Sequence, residues 1–422
     1  MAHQEHKPLS TAAPRFFYGY VVVAISFIIM VVIWGAYNAF GVLFKPMLAE
    51  FGWTRAMTSG AFSLAWLIQG FLGVFIGRLN DRLGPRIVMT LSGFFIGLGY
   101  LLMSWINTVW QFYVFYGLVI GMGMAGAYVP LTSTTVRWFL GRRSMMTGIV
   151  TTGGAVGILL LPPMTSHFIS LYDWRVSCLI LGGMVLVIVL VAAQFLKGEP
   201  SQAGLKPYGQ ERKDDGKLIG TRREFSLKEA VKTRPFWMFA VNSFCLGFVA
   251  WVLMVHIAPH VTDLGMSEAT AATVLATVGG FSVIGRLGLG ILADRIENRK
   301  AYFIGFIMLP VAFFALMPAT ELWMFYLIAA LFGFGWSSGI LQPPMIAELF
   351  GLNAHGLILG VATLGYTIGG AVGPLVGGYI FDVTHSYQLA FLLCGIVAII
   401  GAITVVYLKP AASAQDPATP RR

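Results

Sequence analysis

Arg286 stands inside an apolar run, residues 271–292, where a full positive charge is out of place. Such a charge costs from about 3 kcal/mol on insertion scales to about 10–17 kcal/mol in simulations of an isolated helix at the bilayer centre, so it persists for a reason. Its guanidinium is a planar fork of donors that suits a carboxylate, binding it through two parallel hydrogen bonds. The chain supplies no obvious partner: none of the 18 acidic residues lies in the middle of an apolar run, and Asp263, Glu268 and Asp294 fall at or beyond the ends of runs. The missing negative charge is therefore expected to arrive as a bound anion. The competing reading is a structural arginine satisfied by backbone carbonyls or by Asp263.

Other polar and aromatic residues sit in apolar runs and are candidates to complete a pocket: Tyr37, Asn38, Tyr128, Thr151, Thr152, Asn242, Trp336, Gln342 and Tyr366. Ordinary helix packing or interhelical hydrogen bonding competes with that role at each position. His260 and Asp263 close an apolar run in Ile257-Ala-Pro259-His260-Val-Thr-Asp263, where either could carry a proton or simply cap a helix. Gly121-Met-Gly123-Met-Ala-Gly126 spells a dinucleotide-binding pattern, but it lies inside an apolar helix with no strand before it, so close helix packing explains it better. No nucleophile–base set and no metal-ligand spacing appears. An enzyme is not expected, and neither a cofactor nor a metal is implied.

The elements that must position these residues follow from composition. Apolar residues make up 57% of the 422 and charged residues 11%, and the mean hydropathy is +0.78. A soluble domain carries about a quarter charged residues, so this is a polytopic all-α membrane protein. Fifty glycines and nineteen prolines fit membrane helices, where neighbouring helices satisfy the backbone groups these residues free. The net charge of +10 is spread through short loops and does not form a nucleic-acid-binding face. The three cysteines all lie in apolar runs and imply no disulfide framework.

Runs of about 20 apolar residues, the length that crosses a ~30 Å core, number twelve: 18–44, 57–77, 87–105, 108–136, 144–170, 175–196, 235–260, 269–293, 301–318, 322–347, 356–381 and 387–408. The expected organisation is an N-terminal segment 1–17, a first six-helix bundle 18–196, a polar linker 197–234, a second bundle 235–408 and a tail 409–422. A short surface helix is expected near 226–232. Residues 1–16 lack the apolar core of a signal peptide. Of the 28 Lys and Arg, only Lys45, Arg55 and Arg175 fall in the loops opposite the linker and Arg286 in a run, so the linker and both termini are expected to be cytoplasmic.

The halves repeat. At an offset of 213, Pro46 meets Pro259, Gly77 meets Gly290, and the pair Asp81-Arg82 meets Asp294-Arg295; at 212, Gly148 meets Gly360, Gly153 meets Gly365 and Gly157 meets Gly369. An even number of helices per copy gives both copies one orientation, related by an axis along the membrane normal. That is a transporter architecture with its site near the midplane where the halves meet. A membrane-embedded receptor would need a partner-binding region, and a linker of this length leaves little room for one.

Gly77-Arg-Leu-Asn-Asp81-Arg82-Leu-Gly84-Pro-Arg86, with Gly290-Ile-Leu-Ala-Asp294-Arg295 at the repeat offset, resembles the signature loop of the major facilitator superfamily. Asp81, Arg82, Asp294 and Arg295 then read as a latch that breaks as the halves rock. Tyr18-Gly19-Tyr20, Phe40-Gly41-Val-Leu-Phe44-Lys45-Pro46, Gly52-Trp53-Thr-Arg55 and Trp138-Phe-Leu-Gly-Arg142-Arg143 resemble the monocarboxylate transporter family, especially its bacterial members, across nearly the whole chain. The resemblance implies the major facilitator fold, a cavity lined by helices 1, 4 and 10, and thus Asn38, Tyr128 and Trp336 beside Arg286, with Tyr37, Tyr366 and Asn242 as further lining residues. Arg286 matches a helix 8 arginine shared with the related oxalate:formate exchangers.

Animal members of that family carry a lysine and an aspartate where this chain has Asn38 and Ser282, so proton coupling is expected to rest elsewhere, on His260, Asp263 or the substrate-loaded Arg286 site. The oxalate exchanger uses a helix 11 lysine, and the run 356–378 holds no charge here. The resemblance implies symport of a small monocarboxylate such as lactate or pyruvate with a proton. The alternative is carboxylate exchange of the oxalate:formate kind. A cell inner membrane location and function as a monomer in the lipid bilayer are expected.

Overall fold

The computed structural model describes residues 17–53, 55–209 and 224–408. The expected N-terminal segment, the middle of the linker and the C-terminal tail lie mostly outside the described residues. Twelve helices long and apolar enough to cross a membrane follow one another: α1 (Gly19–Phe44), α2 (Gly60–Leu83), α3 (Pro85–Met103), α4 (Val109–Trp138), α5 (Arg143–Leu171), α6 (Trp174–Gln194), α7 (Arg234–Asp263), α8 (Thr270–Ile296), α9 (Asn298–Leu316), α10 (Leu322–Phe350), α11 (His355–Thr384) and α12 (Gln388–Tyr407). Hydropathy placed each of them. The ends moved where polar residues continue a helix beyond its apolar part: α2 runs to Leu83 and α8 to Ile296, which carries Asp81 and Asp294 on helical turns instead of in a loop.

Small residues decide which helices touch. In the first half α1 lies along α5, where a methyl group on Gly157 would strike the carbonyl of Val31. In the second half α7 lies along α11, where one on Gly369 would strike the carbonyl of Phe244. Membrane helices gain nothing from hiding apolar surface from lipid, so backbone approach of this kind is what holds them together. Two apolar cores result. One is built from Val22 to Leu196 and the other from Phe225 to Leu408, and the second also takes in Val129 of α4.

The halves meet where α2 packs on α11 and α5 on α8. These contacts are again pseudo-symmetric: Gly360 sits against the Gly73 backbone and Gly148 against the Arg286 backbone. The position that holds glycine in the first half therefore holds the cation in the second.

Two helices are interrupted at matching depths. α4 changes from a π-helical stretch, Tyr113–Ile120, through a loosened segment to a new helix starting at Val129, and α10 tightens to a 3₁₀ turn, Ser337–Leu341, before restarting at Gln342. Pro130 and Pro343, one repeat apart, occupy the first turn of each restarted helix, where a missing N–H is harmless. Broken helices in a membrane are tolerated where the freed backbone faces protein or a cavity.

The linker is tied down at both ends. Tyr208 bonds the Trp138 carbonyl at 2.9 Å and accepts from Leu140, while the Glu224 carboxylate accepts from the backbone of Leu352 and Asn353, both at 2.8 Å. The expected surface helix is a single turn, Leu227–Ala230, capped by Ser226 and Glu229 in a reciprocal box.

Candidate functional site

Arg286 lies on α8 about 15 Å from its linker end, at 1.5 Å per residue. Its Nη1 donates to the Thr151 carbonyl of α5 at 2.5 Å, across the seam between the halves. The Tyr128 and Tyr366 phenols are its electrostatic neighbours. Among the described residues no carboxylate pairs with it. One arm of the fork is thus fixed by a neutral carbonyl, and the charge itself is uncompensated.

Tyr128 immediately precedes the restart of α4 and packs against both apolar cores, so the break in that helix puts its phenol on the seam. Tyr366, on α11, accepts a hydrogen bond from Trp336 Nε1 of α10 at 3.3 Å. Trp336 is the last residue before the 3₁₀ turn of α10. Arg286, Tyr128, Tyr366, Trp336 and the Thr151 carbonyl therefore come from five helices of both halves, a cation with phenols and an indole grouped at the seam.

The other expected lining residues are held elsewhere. Asn242 is buried in the second half, where its Nδ2 donates to the Gly401 carbonyl at 3.0 Å and its Oδ1 accepts from Tyr302. Gln342 joins the same network through Tyr302 and Ser243. Tyr37 is buried in an aromatic stack with Phe62 and Tyr116, and its hydroxyl has no hydrogen-bond partner among the described residues. Asn38 turns back on its own helix, Nδ2 donating to the Trp34 carbonyl at 2.8 Å. The Thr151 and Thr152 hydroxyls likewise bond carbonyls one turn back along α5.

His260 is buried near the far end of α7 with its ring between Phe325, Tyr387 and Phe391, and its Nε2 has no hydrogen-bond partner among the described residues. Asp263, exposed one turn along, is its Coulombic neighbour.

The two signature aspartates clamp the halves at the linker face. Asp81 accepts from Gly356 N at 3.1 Å and Leu357 N at 2.9 Å, the first turn of α11 in the opposite half. Asp294 accepts from Ser144 N and Met145 N, both at 3.0 Å, at the first turn of α5. A carboxylate at a helix N-terminus satisfies orphan donors and complements the helix dipole. Asp81 also accepts from Arg137 Nη2 at 2.7 Å, and Arg137 continues to the Leu352 carbonyl at 3.2 Å. The expected neighbours Arg82 and Arg295 make no ion pair with either aspartate among the described residues. Arg137 was overlooked because its partners are distant in sequence. A basic residue at the polar end of an apolar run was the only signal available.

Fold and site together define a membrane transporter, and the chain belongs to the major facilitator superfamily, whose family profile it matches over residues 25–345 and 261–422. It is 27% identical over 418 residues to Monocarboxylate transporter 11 of Homo sapiens, covering 96% of this chain and 86% of that protein. To Monocarboxylate transporter 13 of Rattus norvegicus it is 26% identical over 402 residues, covering 94% and 90%. Among solved structures it is similar to the proton:xylose symporter XylE, with a TM-score of 0.72 at 14% identity over 93% of this chain and 96% of that one. FucP in its outward conformation also gives 0.72, at 15% identity over 93% and 100%. These relatives are transporters, not enzymes, and at such identities the solved structures speak for the fold alone.

Proposed function

We propose that this transporter moves small monocarboxylates such as L-lactate or pyruvate together with a proton, by alternating access of its two halves, and that Arg286 holds the substrate carboxylate. The observation that carries the reading is a guanidinium at the seam with one arm on a carbonyl and, among the described residues, no carboxylate partner. A substrate anion supplies that charge, and the Tyr128 and Tyr366 phenols, which neighbour Arg286, are the donors we assign to it. Arg286, Tyr128, Trp336 and Tyr366 are the residues we assign to the pocket; the hydrogen bonds of Asn38 and Asn242 and the stacking of Tyr37 favour structural roles. The relatives named as monocarboxylate transporters support the substrate class.

The site favours a single carboxylate with an uncharged tail. Burying a second one without a partner costs several kcal/mol, and the wall offers Trp336 and other bulky apolar groups. His260, with its unpartnered Nε2, and Asp263 beside it are the groups we assign to the proton. We assign the linker face to the cytoplasm, because nearly all Lys and Arg fall in the segments of the sequence on that side, and take the termini to lie there and the membrane to be the cell inner membrane. The aspartates of the signature loops then form the cytoplasmic latch.

Uptake of radiolabelled lactate into proteoliposomes tests this reading. Lactate and pyruvate are expected to compete with one another, and an imposed pH gradient alone is expected to drive accumulation. His260→Ala or Asp263→Asn is expected to blunt that response. Stronger inhibition by oxalate, with no response to pH and a requirement for anion on both sides, would replace the symport reading with exchange.

A further inference from the structure

His355, the first residue of α11, is wholly buried at the linker-face junction and bonds to both halves. Its Nε2 lies 2.9 Å from the Pro343 carbonyl of α10, in its own half, and its Nδ1 lies 2.9 Å from Ser133 Oγ of α4, in the other. A carbonyl can only accept, so Nε2 carries the hydrogen and, in the neutral ring, Nδ1 accepts from the serine.

The surroundings do not suit a charged ring. Arg137 of α4 and Arg143 of α5 are its Coulombic neighbours, both positive. Asp81 of α2 stands at the next residue, but it is committed to Arg137, Gly356 N and Leu357 N. On α10, Glu348 accepts from Asn298 at 2.6 Å. In the segment before α7, Glu224 holds the 352–353 turn, Glu229 is engaged by Ser226 and Lys228 adds another positive charge. Among the described residues an imidazolium here would be a buried charge without a free counter-ion, which is strongly unfavourable. When α4 parts from α11, the same ring loses its serine, meets water and can take up a proton.

We propose that His355 is a proton-binding site that locks the linker-face gate: neutral, it bridges the halves, and protonated, it holds them apart. An exposed imidazole titrates near pH 6.5, so a ring that binds a proton only in the open gate raises the open-to-shut ratio about tenfold between about pH 7.5 and about pH 5.5. The site is separate from the substrate and its coupled proton. The compartment whose pH it reads follows from the orientation proposed above, whereas the gating itself does not.

Spin labels on cysteines introduced at Leu83 and Lys300, exposed residues at the linker ends of the two halves, report the gate by pulsed dipolar distance measurement. The native cysteines are buried. In nanodiscs without substrate both faces see one pH, so the result is independent of orientation and of substrate identity. The wild-type protein is expected to gain long distances on acidification, about tenfold in population ratio, and His355→Gln is expected to lose this dependence. Ser133→Asp, which gives the imidazolium a counter-ion in the shut gate, is expected to lose it too. Retention of the tenfold response by either variant, or its absence from the wild type, overturns the proposal; retention would assign the response to another group, such as the latch carboxylates.

Discussion

Neutralising Asp81 is expected to open the linker face far more than neutralising its repeat partner Asp294. Asp81 and Arg137 keep only 9% and 12% of their side-chain surface exposed, so they form a largely desolvated pair. Removing one member of a buried pair costs about 3–5 kcal/mol, chiefly from the charge left behind. Arg137 retains Glu199 at 3.3 Å and the Leu352 carbonyl, and an asparagine still offers one acceptor to α11. We therefore expect a loss of about 2–3 kcal/mol for Asp81→Asn in the shut state, below the full penalty of a stranded charge. At 1.4 kcal/mol per factor of ten this is a shift of about 30- to 150-fold toward the open gate. Asp294 caps α5 through two backbone donors and has no ion pair among the described residues. Its loss is expected to stay within the helix-terminus range of about 0.3–2 kcal/mol. The distance distribution between labels at Leu83 and Lys300 measures both variants in one assay. An equal or larger shift for Asp294→Asn, or no shift for Asp81→Asn, would refute the assignment of the latch to Asp81 and Arg137 acting together on the α11 end of the opposite half.

Further outcomes follow from packing and charge. Gly157→Ala drives a methyl group into the Val31 carbonyl and is expected to cost about 1–3 kcal/mol, seen as a lower melting temperature, whereas Gly183→Ala meets open space and is expected to be neutral or slightly stabilising. Tyr128→Phe and Tyr366→Phe each remove a donor to a bound anion, and an equilibrium binding assay is expected to show affinity weakened about tenfold or more by each; unchanged affinity for both would exclude the phenols from the pocket. Opposite the linker face, Arg175 donates to Glu50 at 2.6 Å and holds its carboxyl below the usual carboxylate range. Because the folded value is depressed, the stabilisation is complete above the unfolded value of about 4.3 and fades as pH falls through the folded one. The melting-temperature difference between wild type and Glu50→Gln is therefore expected to shrink below about pH 4.5, and a difference constant with pH would argue against the pair.

The parts of this molecule that depend on apolar length were legible in its sequence. Twelve runs and the repeat at offsets of 212 and 213 carry the fold class, and a lone cation in the eighth run is the residue on which the proposed site rests. Contacts that depend on which helices face one another were not. Asn38 and Asn242 look alike as polar residues in apolar runs, yet one folds back on Trp34 and the other joins the Tyr302 network. Asp81 in a signature loop is readable as a helix cap that pairs with an arginine, but which helix and which arginine are not: α2 presents the carboxylate to α4 and α11, so Arg137 and the α11 N-terminus take it. The breaks in α4 and α10 left a readable trace, Pro130 and Pro343 one repeat apart, while hydropathy ran straight through them. The sequence does not single out His355, because nothing in its neighbourhood forecasts Ser133 arriving from the other half.

The central claim, that Arg286 supplies the charge for the substrate carboxylate, is tested most directly by thermal stabilisation of purified wild-type and Arg286→Gln protein with lactate, pyruvate and oxalate. A ligand at 100 times its dissociation constant adds about 2.7 kcal/mol to stability. The wild-type protein is expected to be stabilised saturably by lactate or pyruvate and little by oxalate. Arg286→Gln is expected to fold, since it removes a half-buried charge that has no carboxylate partner among the described residues, and to show no saturable stabilisation by any of the three. Stabilisation of Arg286→Gln by lactate or pyruvate equal to that of the wild type would contradict the account.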